Sequence, residues 1–463
     1  MAASPATTLL RRSSDPVRPG LGPEHSIYWR DTEPVDPGPP LRGDLECDVC
    51  VVGAGYTGMW TAHFLKRAEP GLNVHLLEAD YAGAGASGHN DGFVTPTIGH
   101  GLHSVLRAWE PERAAAAYQA VGRSILELRR FCRKAPEADF SPSGFYLVAT
   151  NRGQMARLRG DVERARRMGF DYELLDAAEI QERISSRRLT GALKTPGALV
   201  NPHRLARALF RHVGEQGVVV HERTPALGFG RDGDRYRVQA PCGSVTARRL
   251  LLATNAYQHE WGGFRNQVKP VWSYALVSEP LTEAQMQSVS WPGGEGFVEA
   301  RNFIVFVRPV AGNRILVGGG PAPYRYGRDM DVRHMRHDRI HGILVRALRD
   351  FFPGWGSLRF HRAYGGCIAI TRDLLPRLGR RADGVFFGYG YCGNGIAMSH
   401  TAGRTLADLI LERNTEATRL PFVGKGEEPA FPPEPVAYAG AKALSALLGL
   451  QDRYPRLSRW QLV

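Results

Sequence analysis

The sequence predicts an α/β fold built around a nucleotide-binding sheet. An apolar run at residues 47–52 leads into a glycine-rich turn, a helix and a second strand, which is the opening unit of such a sheet. Residues 385–412 repeat the order of strand, glycine loop and helix near the C-terminus. The length of 463 residues favours two domains, or one large domain with a second lobe woven through it.

The remaining elements follow from apolar periodicity and from capping signals. Helix 203–216 is the best bounded, because Asn201 can cap it, Pro202 suits its first position and Gly217 follows its end. A Pro-rich, irregular surface arm is predicted for 1–43, and the tail 413–463 reads as weakly amphipathic. The other predictions are helix 56–66, strands 73–78, 218–221, 235–240 and 244–252, a hairpin of 303–308 with 314–317, a long helix over 328–352, strand 385–387 and helix 396–412.

Composition and charge exclude several classes of protein. No window approaches the roughly 18 consecutive apolar residues of a membrane-spanning helix, and the N-terminus has no secretory signal. The net charge of +13 comes from 53 Arg and 6 Lys without a run of like charges. It therefore favours solvated faces over a nucleic-acid or membrane patch, and it leaves an anionic substrate open.

The six cysteines predict a cytoplasmic protein, because their spacing does not resemble a disulfide framework. Cys47 and Cys50 form a CxxC pair, but they lie in a predicted strand, where residues three apart face opposite sides. A redox or zinc role is not expected there, and no metal site is predicted.

The turn at 53–58 carries the most specific signal, since it fits GxGxxG between a strand and a helix. The first glycine permits a tight turn, the second lets a pyrophosphate approach the backbone, and the third lets helix and strand pack closely. Glu78 ends the next strand, where its carboxylate can accept hydrogen bonds from both ribose hydroxyls and disfavours a 2′-phosphate. The unit predicts dinucleotide binding, with NADP the poorest fit and a structural glycine turn as the alternative.

Two further glycine-rich segments favour FAD over NAD. Residues 83–92 could let a planar ring lie against the backbone, and the loop 388–395 opens a helix whose positive end could face the flavin edge that becomes negative on reduction. An NAD enzyme needs neither feature. The predicted cofactor-binding residues are Gly53, Ala54, Gly55, Tyr56, Thr57, Gly58, Glu78, Ala79, Gly85, Ala86, Ser87, Ala226, Thr254, Gly393, Asn394 and Gly395.

These motifs together resemble the D-amino-acid-oxidase-like (DAO) family of FAD-dependent oxidoreductases, and within it the branch that contains gamma-glutamylputrescine oxidoreductase. The resemblance spans nearly the whole chain. The segments that carry it are 26–29, 53–58 with Glu78, 85–88 and 390–395, with 252–255 and 365–376 matching in kind.

The resemblance implies a Rossmann-like FAD-binding domain interleaved with a substrate domain on a mixed or antiparallel β-sheet, with the isoalloxazine between them. The implied division is an N-terminal arm at 1–45, an FAD-binding domain at 46–96, 198–256 and 362–415, a substrate domain at 97–197 and 257–361, and a C-terminal tail at 416–463.

Departures from the family pattern bear on the substrate. His89 and Asp91 replace an Arg and a Gly of the putrescine branch, and similar spacing occurs in sarcosine oxidases. The arginines and lysines with which the sarcosine group surrounds flavin and carboxylate align with Phe93, Pro96, Leu316 and Ala397. A sarcosine-type carboxylate clamp is therefore not expected unless another arginine supplies the anchor; the candidates are Arg301, Arg308 and Arg325.

The candidate catalytic residues are His89, Asp91, Arg308 and Tyr391. A histidine beside a carboxylate could take a proton from a substrate ammonium, although short polar residues in such turns often bond only the local backbone. Tyr391 could line the substrate side or belong to the core. FAD is expected to be non-covalent, because the cysteine that carries it in some relatives aligns nearer Gly366 than Cys367.

The resemblance implies an FAD-dependent amine or amino-acid oxidoreductase that oxidises a C–N bond by hydride transfer to flavin N5. With O₂ as acceptor the products would be an imine or aldehyde and hydrogen peroxide. The expected partners are a small-molecule amine and O₂ or another electron acceptor, with no nucleic acid and no membrane span, and the oligomeric state is left open. The alternatives are a tailoring oxidase of a larger biosynthetic intermediate and a non-catalytic flavoprotein subunit.

Overall fold

Two large β-sheets and the helices on their faces make up the protein, whose computed structural model describes residues 10–11, 27–424 and 429–454. The helices are α1 Tyr28–Asp31, α2 Tyr56–Ala68, α3 Ala86–His89, α4 Leu102–Ala108, α5 Pro111–Lys134, α6 Arg152–Arg167, α7 Ala177–Arg183, α8 Pro202–Glu215, α9 Glu283–Gln287, α10 Asp338–Phe351, α11 Gly395–Ile410 and α12 Val436–Arg453. The strands are β1 Leu10–Arg11, β2 Leu45–Val52, β3 Val74–Leu77, β4 Phe93–Val94, β5 Phe145–Ala149, β6 Leu174–Leu175, β7 Gly191–Thr195, β8 Ala198–Leu199, β9 Val219–His221, β10 Gly228–Asp232, β11 Arg235–Ala240, β12 Gly243–Leu252, β13 Lys269–Ser278, β14 Gly296–Glu299, β15 Val305–Val310, β16 Arg314–Gly319, β17 Phe360–Ile370, β18 Arg377–Arg380, β19 Phe386–Tyr389 and β20 Val423–Gly424.

The first sheet has ten strands and contains both glycine loops. Its centre is the parallel series β9, β3, β2, β12 and β19, and the hairpin of β10 and β11 pairs with the first half of β12. The second half of β2, Val49 to Val52, and all of β3 are buried, because helices cover one face of the sheet and the hairpin of β10 and β11 with the segment after β12 covers the other. Both glycine loops follow the carboxyl ends of these strands, where α/β sheets bind their ligands.

The second sheet has eight strands in the order β17-β13-β16-β15-β14-β5-β7-β6. It is antiparallel except for the parallel pair of β14 and β5. The mixed α/β class with a second, mostly antiparallel sheet is confirmed.

Several local predictions are confirmed by the structure. Asn201 caps α8 by accepting a hydrogen bond from Arg204 N, Pro202 occupies the first turn, and Gly217 adopts φ +80° after the helix. The predicted hairpin of β15 and β16 is present, with Asn313 at φ +55° in its turn.

The long helix predicted over 328–352 is wrong in its first ten residues, because α10 begins only at Asp338. Arg328 adopts φ +63°, and two short turns precede the helix. Asp329 accepts hydrogen bonds from Asp331 N and from Arg333, and Asp331 accepts one from Arg333 N. Such local side-chain bonds compete with a continuous helix.

The N-terminal arm does not lie wholly on the surface as predicted. Tyr28 and Trp29 on α1 are buried in the core of the second sheet, because their large apolar rings gain more from burial than from solvation. Ser26, part of the segment that carries the resemblance, lies outside the described residues. The weakly amphipathic part of the tail forms α12.

Two segments bear on the predicted division into domains. Helix α5, within 97–197, packs against α11 of the first sheet, and its Ser124 hydroxyl lies 2.7 Å from the Thr401 hydroxyl. The boundary at 361/362 falls inside β17, which pairs with β13 in the second sheet. The division at these boundaries stays a prediction.

Candidate active site

The turn after β2 has the backbone geometry that GxGxxG requires. Gly53 adopts φ +105°, and a Cβ there would lie 2.7 Å from the Ala253 carbonyl oxygen. A Cβ on Gly58 would lie 2.0 Å from the Gly53 carbonyl oxygen, so helix α2 can approach the turn only with glycine at this position. The N-terminal end of α2 therefore sits directly against the turn, where its positive dipole end can face a phosphate.

Glu78 follows β3 and points back to this turn. Its Oε2 accepts a hydrogen bond from Ala54 N at 2.9 Å, and its Oε1 accepts one from Asp80 N at 3.1 Å. Burial raises the pKa of Glu78 to about 7, against the opposing effect of those two N–H donors. A carboxylate has about four acceptor positions, so Glu78 keeps acceptor capacity for a ribose hydroxyl.

Ser87 on α3 joins the second glycine segment to the first. Its Oγ accepts a hydrogen bond from Tyr56 N at 2.9 Å, and a Cβ on Gly55 would lie 2.9 Å from the same oxygen. A Cβ on Gly85 would meet nothing within 4 Å. Space is therefore open beside Gly85, next to the junction of the two segments.

The C-terminal glycine loop reaches the same place from β19. Cys392 and Gly393 adopt φ +50° and +94°, and a Cβ on Gly393 would meet open space. Asn394 holds the loop by accepting a hydrogen bond from Thr95 Oγ1 at 2.9 Å and donating one to the Gly99 carbonyl oxygen at 2.7 Å. Helix α11 begins at Gly395, so its N-terminal end faces the space bordered by Gly393.

Tyr391 ties this loop to the first one. Its hydroxyl lies 2.7 Å from Thr57 Oγ1 at the start of α2, and burial raises its pKa. The structure therefore places Tyr391 at the nucleotide end of the site, and the contact to Thr57 gives it a role in holding two predicted cofactor loops together.

The other predicted cofactor residues lie around this centre. Thr254 follows β12, where its hydroxyl donates to Gln258 Oε1 and accepts from Trp261 Nε1. Ala79 is exposed directly after Glu78, whereas Ala226 is buried in the core beside β10 and β11.

Strand β17 runs past both glycine segments and forms one wall of a cleft between the sheets. It packs against α3, and its Ala369 carbonyl oxygen accepts a hydrogen bond from Cys392 N at 3.3 Å. β17 is the edge strand of the second sheet, its Gly366 and Ile368 are half-buried, and a Cβ on Gly366 would meet nothing within 4 Å. We call this space the interlobe cleft.

Alternation along β17 decides which side chains face the cleft. One face of β17 carries Tyr364, Gly366 and Ile368. The register of β17, β13, β16 and β15 places Arg308 on the same face of the sheet. Cys367 lies on the opposite face, opposite Trp272 on β13. A thiol on that face points away from the cleft.

Arg308 is held by backbone carbonyl groups rather than pointing freely into the cleft. Its Nη1 donates to the carbonyl oxygens of Asp91, Gly92 and Val200 at 3.0, 3.1 and 2.9 Å. Its guanidinium also lies 5.5 Å from the centre of the Trp29 ring. Burial lowers the pKa of Arg308 to about 10, so the group stays charged near neutral pH. Arg308 therefore fixes the segment that carries Asp91.

Asp91 presents its carboxylate beside this guanidinium. Burial raises the pKa of Asp91 to about 7, and the Arg308 charge opposes that rise. The side chain is half-buried, and within the described ranges it has no hydrogen bond to another residue. Close to it, the buried Tyr364 hydroxyl and Trp29 Nε1 also have no hydrogen-bond partner of normal geometry among the described residues.

His89 lies in different surroundings from Asp91. Its Nε2 is 3.5 Å from the Tyr81 hydroxyl, and burial together with the charges of His203 and Arg30 lowers its pKa to about 3. No hydrogen bond or ion pair joins His89 to Asp91 in the part of the chain that the structure describes. A group that binds a proton so weakly is a poor acceptor for the proton of an ammonium ion.

The two other candidate arginines for a carboxylate anchor are engaged elsewhere. Arg301 pairs with Glu299 and Asp452 at the C-terminal end of α12. Arg325 lies beside Tyr274, whose side chain faces α10 on the far side of the sheet.

Sequence reasoning did not find Trp29 or Tyr364 as part of the site. The only sequence signal for Trp29 was its place in segment 26–29, which carries the family resemblance. Tyr364 lies one residue before the matching segment 365–376. Their place beside Asp91 depends on how α1 and β17 meet, which local sequence does not encode.

The residues present fit FAD. Three glycine segments meet around Gly55, Gly85 and Gly393, Glu78 keeps acceptor positions for ribose hydroxyls, and two helix N-termini face the same space. These features define a dinucleotide-binding flavoprotein with a cleft beside the flavin end.

Comparison with known proteins identifies the family. Residues 48–409 match the family described as FAD dependent oxidoreductase (DAO). The chain therefore belongs to the DAO family of FAD-dependent oxidoreductases. It is 29% identical over 392 residues to gamma-glutamylputrescine oxidoreductase of Escherichia coli K12, which covers 83% of this chain and 88% of that protein.

Solved structures share the fold at low identity. The crystal structure of glycine oxidase from Geobacillus kaustophilus matches with a TM-score of 0.68 at 21% identity, covering 80% of this chain and 96% of that one. L-proline dehydrogenase from P. horikoshii matches with a TM-score of 0.67 at 17% identity, covering 82% and 96%.

Proposed function

We propose that this protein oxidises the C–N bond of an amine and that Asp91 takes the proton from the substrate ammonium. The observation that supports the assignment is the half-buried Asp91 carboxylate, which lies beside Arg308 and the buried Tyr364 and has a pKa of about 7. A C–H bond next to nitrogen is oxidised readily only when the nitrogen is neutral, so a proton acceptor at this place has a defined task. The relatives act on substrates of this kind, as the name gamma-glutamylputrescine oxidoreductase says.

The chain's own residues divide the work of binding and positioning. Bound FAD supplies the two-electron acceptor for the C–H bond. Glu78, the first glycine turn and Ser87 hold the nucleotide part, and Asn394 with the start of α11 faces the flavin end. Arg308 fixes the backbone of Asp91, and the buried Tyr364 hydroxyl and Trp29 Nε1 lie near it, where they can donate to a polar ligand in a dry setting.

We further propose a substrate without a clamped α-carboxylate. Three observations support this: Arg301 is paired with Glu299 and Asp452, Arg308 donates to backbone carbonyl groups, and Arg325 lies beside Tyr274. The cleft instead offers the carboxylate of Asp91, which suits a cationic amine. O₂ is the proposed acceptor, and FAD is proposed to be non-covalent, since Cys367 lies on the sheet face away from the cleft.

The test is an anaerobic visible spectrum of the purified FAD-loaded protein during addition of amines. The set includes gamma-glutamylputrescine, diamines, N-methyl amino acids and both enantiomers of common amino acids. Bleaching of the flavin band by the amines without an α-carboxylate supports the proposal, and bleaching only by α-amino acids contradicts its substrate part. If the flavin stays oxidised with every compound, the result favours the two alternatives, a tailoring oxidase of a larger intermediate or a non-catalytic flavoprotein subunit. Peroxide release on admitting air tests O₂ as the acceptor.

A further inference from the structure

Helix α12 is attached to the second sheet at its two ends. At the N-terminal end, Glu434 accepts a hydrogen bond from Tyr438 N at 3.1 Å and pairs with Lys269 at 3.4 Å. At the C-terminal end, Asp452 accepts hydrogen bonds from Asn302 N and Phe303 N at 2.9 and 2.8 Å. These bonds fix which face of the helix points outward.

The outward face of α12 is apolar. Of the ten exposed large apolar side chains in the described residues, five lie on α12 or directly after it, and their side chains are 43–59% exposed. They are Val436, Leu444, Leu447, Leu450 and Tyr454, which we call the apolar ridge. At 3.6 residues per turn these positions fall on one side of the helix, with exposed Ala439, Ala443 and Ala446 among them.

The charges around the apolar ridge are positive. Lys442 and Arg453 are exposed on the helix and stand at one edge of the ridge by the same periodicity. The single acidic residue of α12, Asp452, is engaged by backbone N–H groups and by Arg301. The whole chain has a net charge of +13.

We propose that the apolar ridge docks the protein on the surface of an anionic lipid bilayer, with α12 lying in the plane of the interface. Leucines and a tyrosine facing outward, with cations at the edge, are the chemistry of interfacial helices. Within the described ranges, no helix has the length and apolar character to cross a bilayer. The helix therefore lies on the membrane without spanning it, and the inference stands independently of the proposed substrate.

A second copy of the chain fits the ridge less well. A helix of 18 residues is about 27 Å long, and a face about 10 Å wide offers roughly 270 Å², against about 800 Å² per partner in a stable dimer. Two ridges would also bring cations together, since each copy carries +13. An anionic bilayer attracts the same charges.

The experiment is co-sedimentation of the full-length FAD-loaded protein with vesicles. Phosphatidylcholine vesicles containing phosphatidylglycerol are compared with pure phosphatidylcholine vesicles. We expect binding to the anionic vesicles that weakens with added salt, and a loss of at least about tenfold in the triple variant Leu444→Gln, Leu447→Gln, Leu450→Gln. Leu126→Gln on α5, where the leucine is 55% exposed, is the matched control and keeps wild-type binding.

Three results would overturn the proposal. The first is a wild-type protein that binds no anionic vesicle, and the second is a triple variant that binds them as well as wild type. The third is sedimentation velocity without lipid that shows a wild-type dimer and a monomeric triple variant, which makes the ridge a protein interface. The flavin absorbance and thermal unfolding of each variant establish that it is folded and loaded.

Discussion

The guanidinium of Arg308 is hydrogen-bonded to the backbone of Asp91. Arg308 Nη1 donates to the Asp91 carbonyl oxygen at 3.0 Å, while the Asp91 carboxylate is half-buried beside the same positive charge. One arginine from the second sheet therefore both positions the segment that follows α3 and sets the proton affinity of its carboxylate.

Replacing Arg308 tests both effects at once. Arg308→Met removes the side-chain donor to three carbonyl groups, of which that of Gly92 keeps Val200 N as a donor, and it removes the positive charge that lowers the pKa of Asp91. We expect the free energy of unfolding in urea to fall by about 3 kcal/mol, and the acidic limb of the activity profile to move to higher pH. Arg308→Lys is the control, since it keeps the charge and should leave the acidic limb near its wild-type position. An unmoved limb in Arg308→Met would mean that Asp91 does not produce it.

The pH dependence of the reaction should report Asp91 directly. With its pKa raised to about 7, the carboxyl is protonated below that pH and can accept a proton above it. We therefore expect kcat/KM to rise with pH through about 7 in the wild type, and to lose that limb in Asp91→Asn with a decrease of about 10²-fold at high pH.

His89→Asn is the matched comparison for Asp91→Asn. Because the pKa of His89 is lowered to about 3, its imidazole is neutral over the whole working range and should not produce a limb near neutral pH. If His89→Asn abolishes the limb and Asp91→Asn preserves it, the base has been assigned to the wrong residue.

Tyr391→Phe separates a role at the cofactor from a role at the substrate. The substitution removes the 2.7 Å contact to Thr57 and should lower the free energy of unfolding by about 1 kcal/mol. Retention of FAD on dilution should weaken, while kcat of the fully loaded enzyme stays within about twofold of wild type. A large fall in kcat at full flavin occupancy would show instead that Tyr391 contacts the substrate.

The parts of the fold that could be predicted are those that local chemistry determines. Gly53 and Gly58 have no room for a Cβ, so the GxGxxG turn can be read from the chain alone. Asn201 and Pro202 likewise fix the start of α8 through a cap and a first-turn proline.

The parts that could not be predicted depend on contacts between distant segments. Trp29 is buried against a strand near the middle of the chain, and Tyr364 reaches Asp91 only because β17 passes α3. The sequence shows α12 as weakly amphipathic but does not tell which of its sides packs on the protein, and its apolar ridge faces outward, the reverse of the usual pattern. In each of these cases, the segment that packs against a residue decides whether that residue is buried, and the local sequence does not.

Glu78 gives the sharpest test of the cofactor site. Its carboxylate already accepts hydrogen bonds from Ala54 N and Asp80 N, and the proposed ribose contacts use its remaining acceptor positions. Glu78→Gln replaces one acceptor oxygen with an NH₂ donor, which conflicts with a backbone N–H or with a ribose hydroxyl. We expect the Kd for FAD, measured by flavin fluorescence on titrating the apoprotein, to rise about tenfold. Glu69→Gln on the exposed surface after α2 should leave the Kd unchanged. An equal Kd for FAD in wild type and Glu78→Gln would mean that Glu78 does not contact the ribose, because loss of that contact must weaken binding.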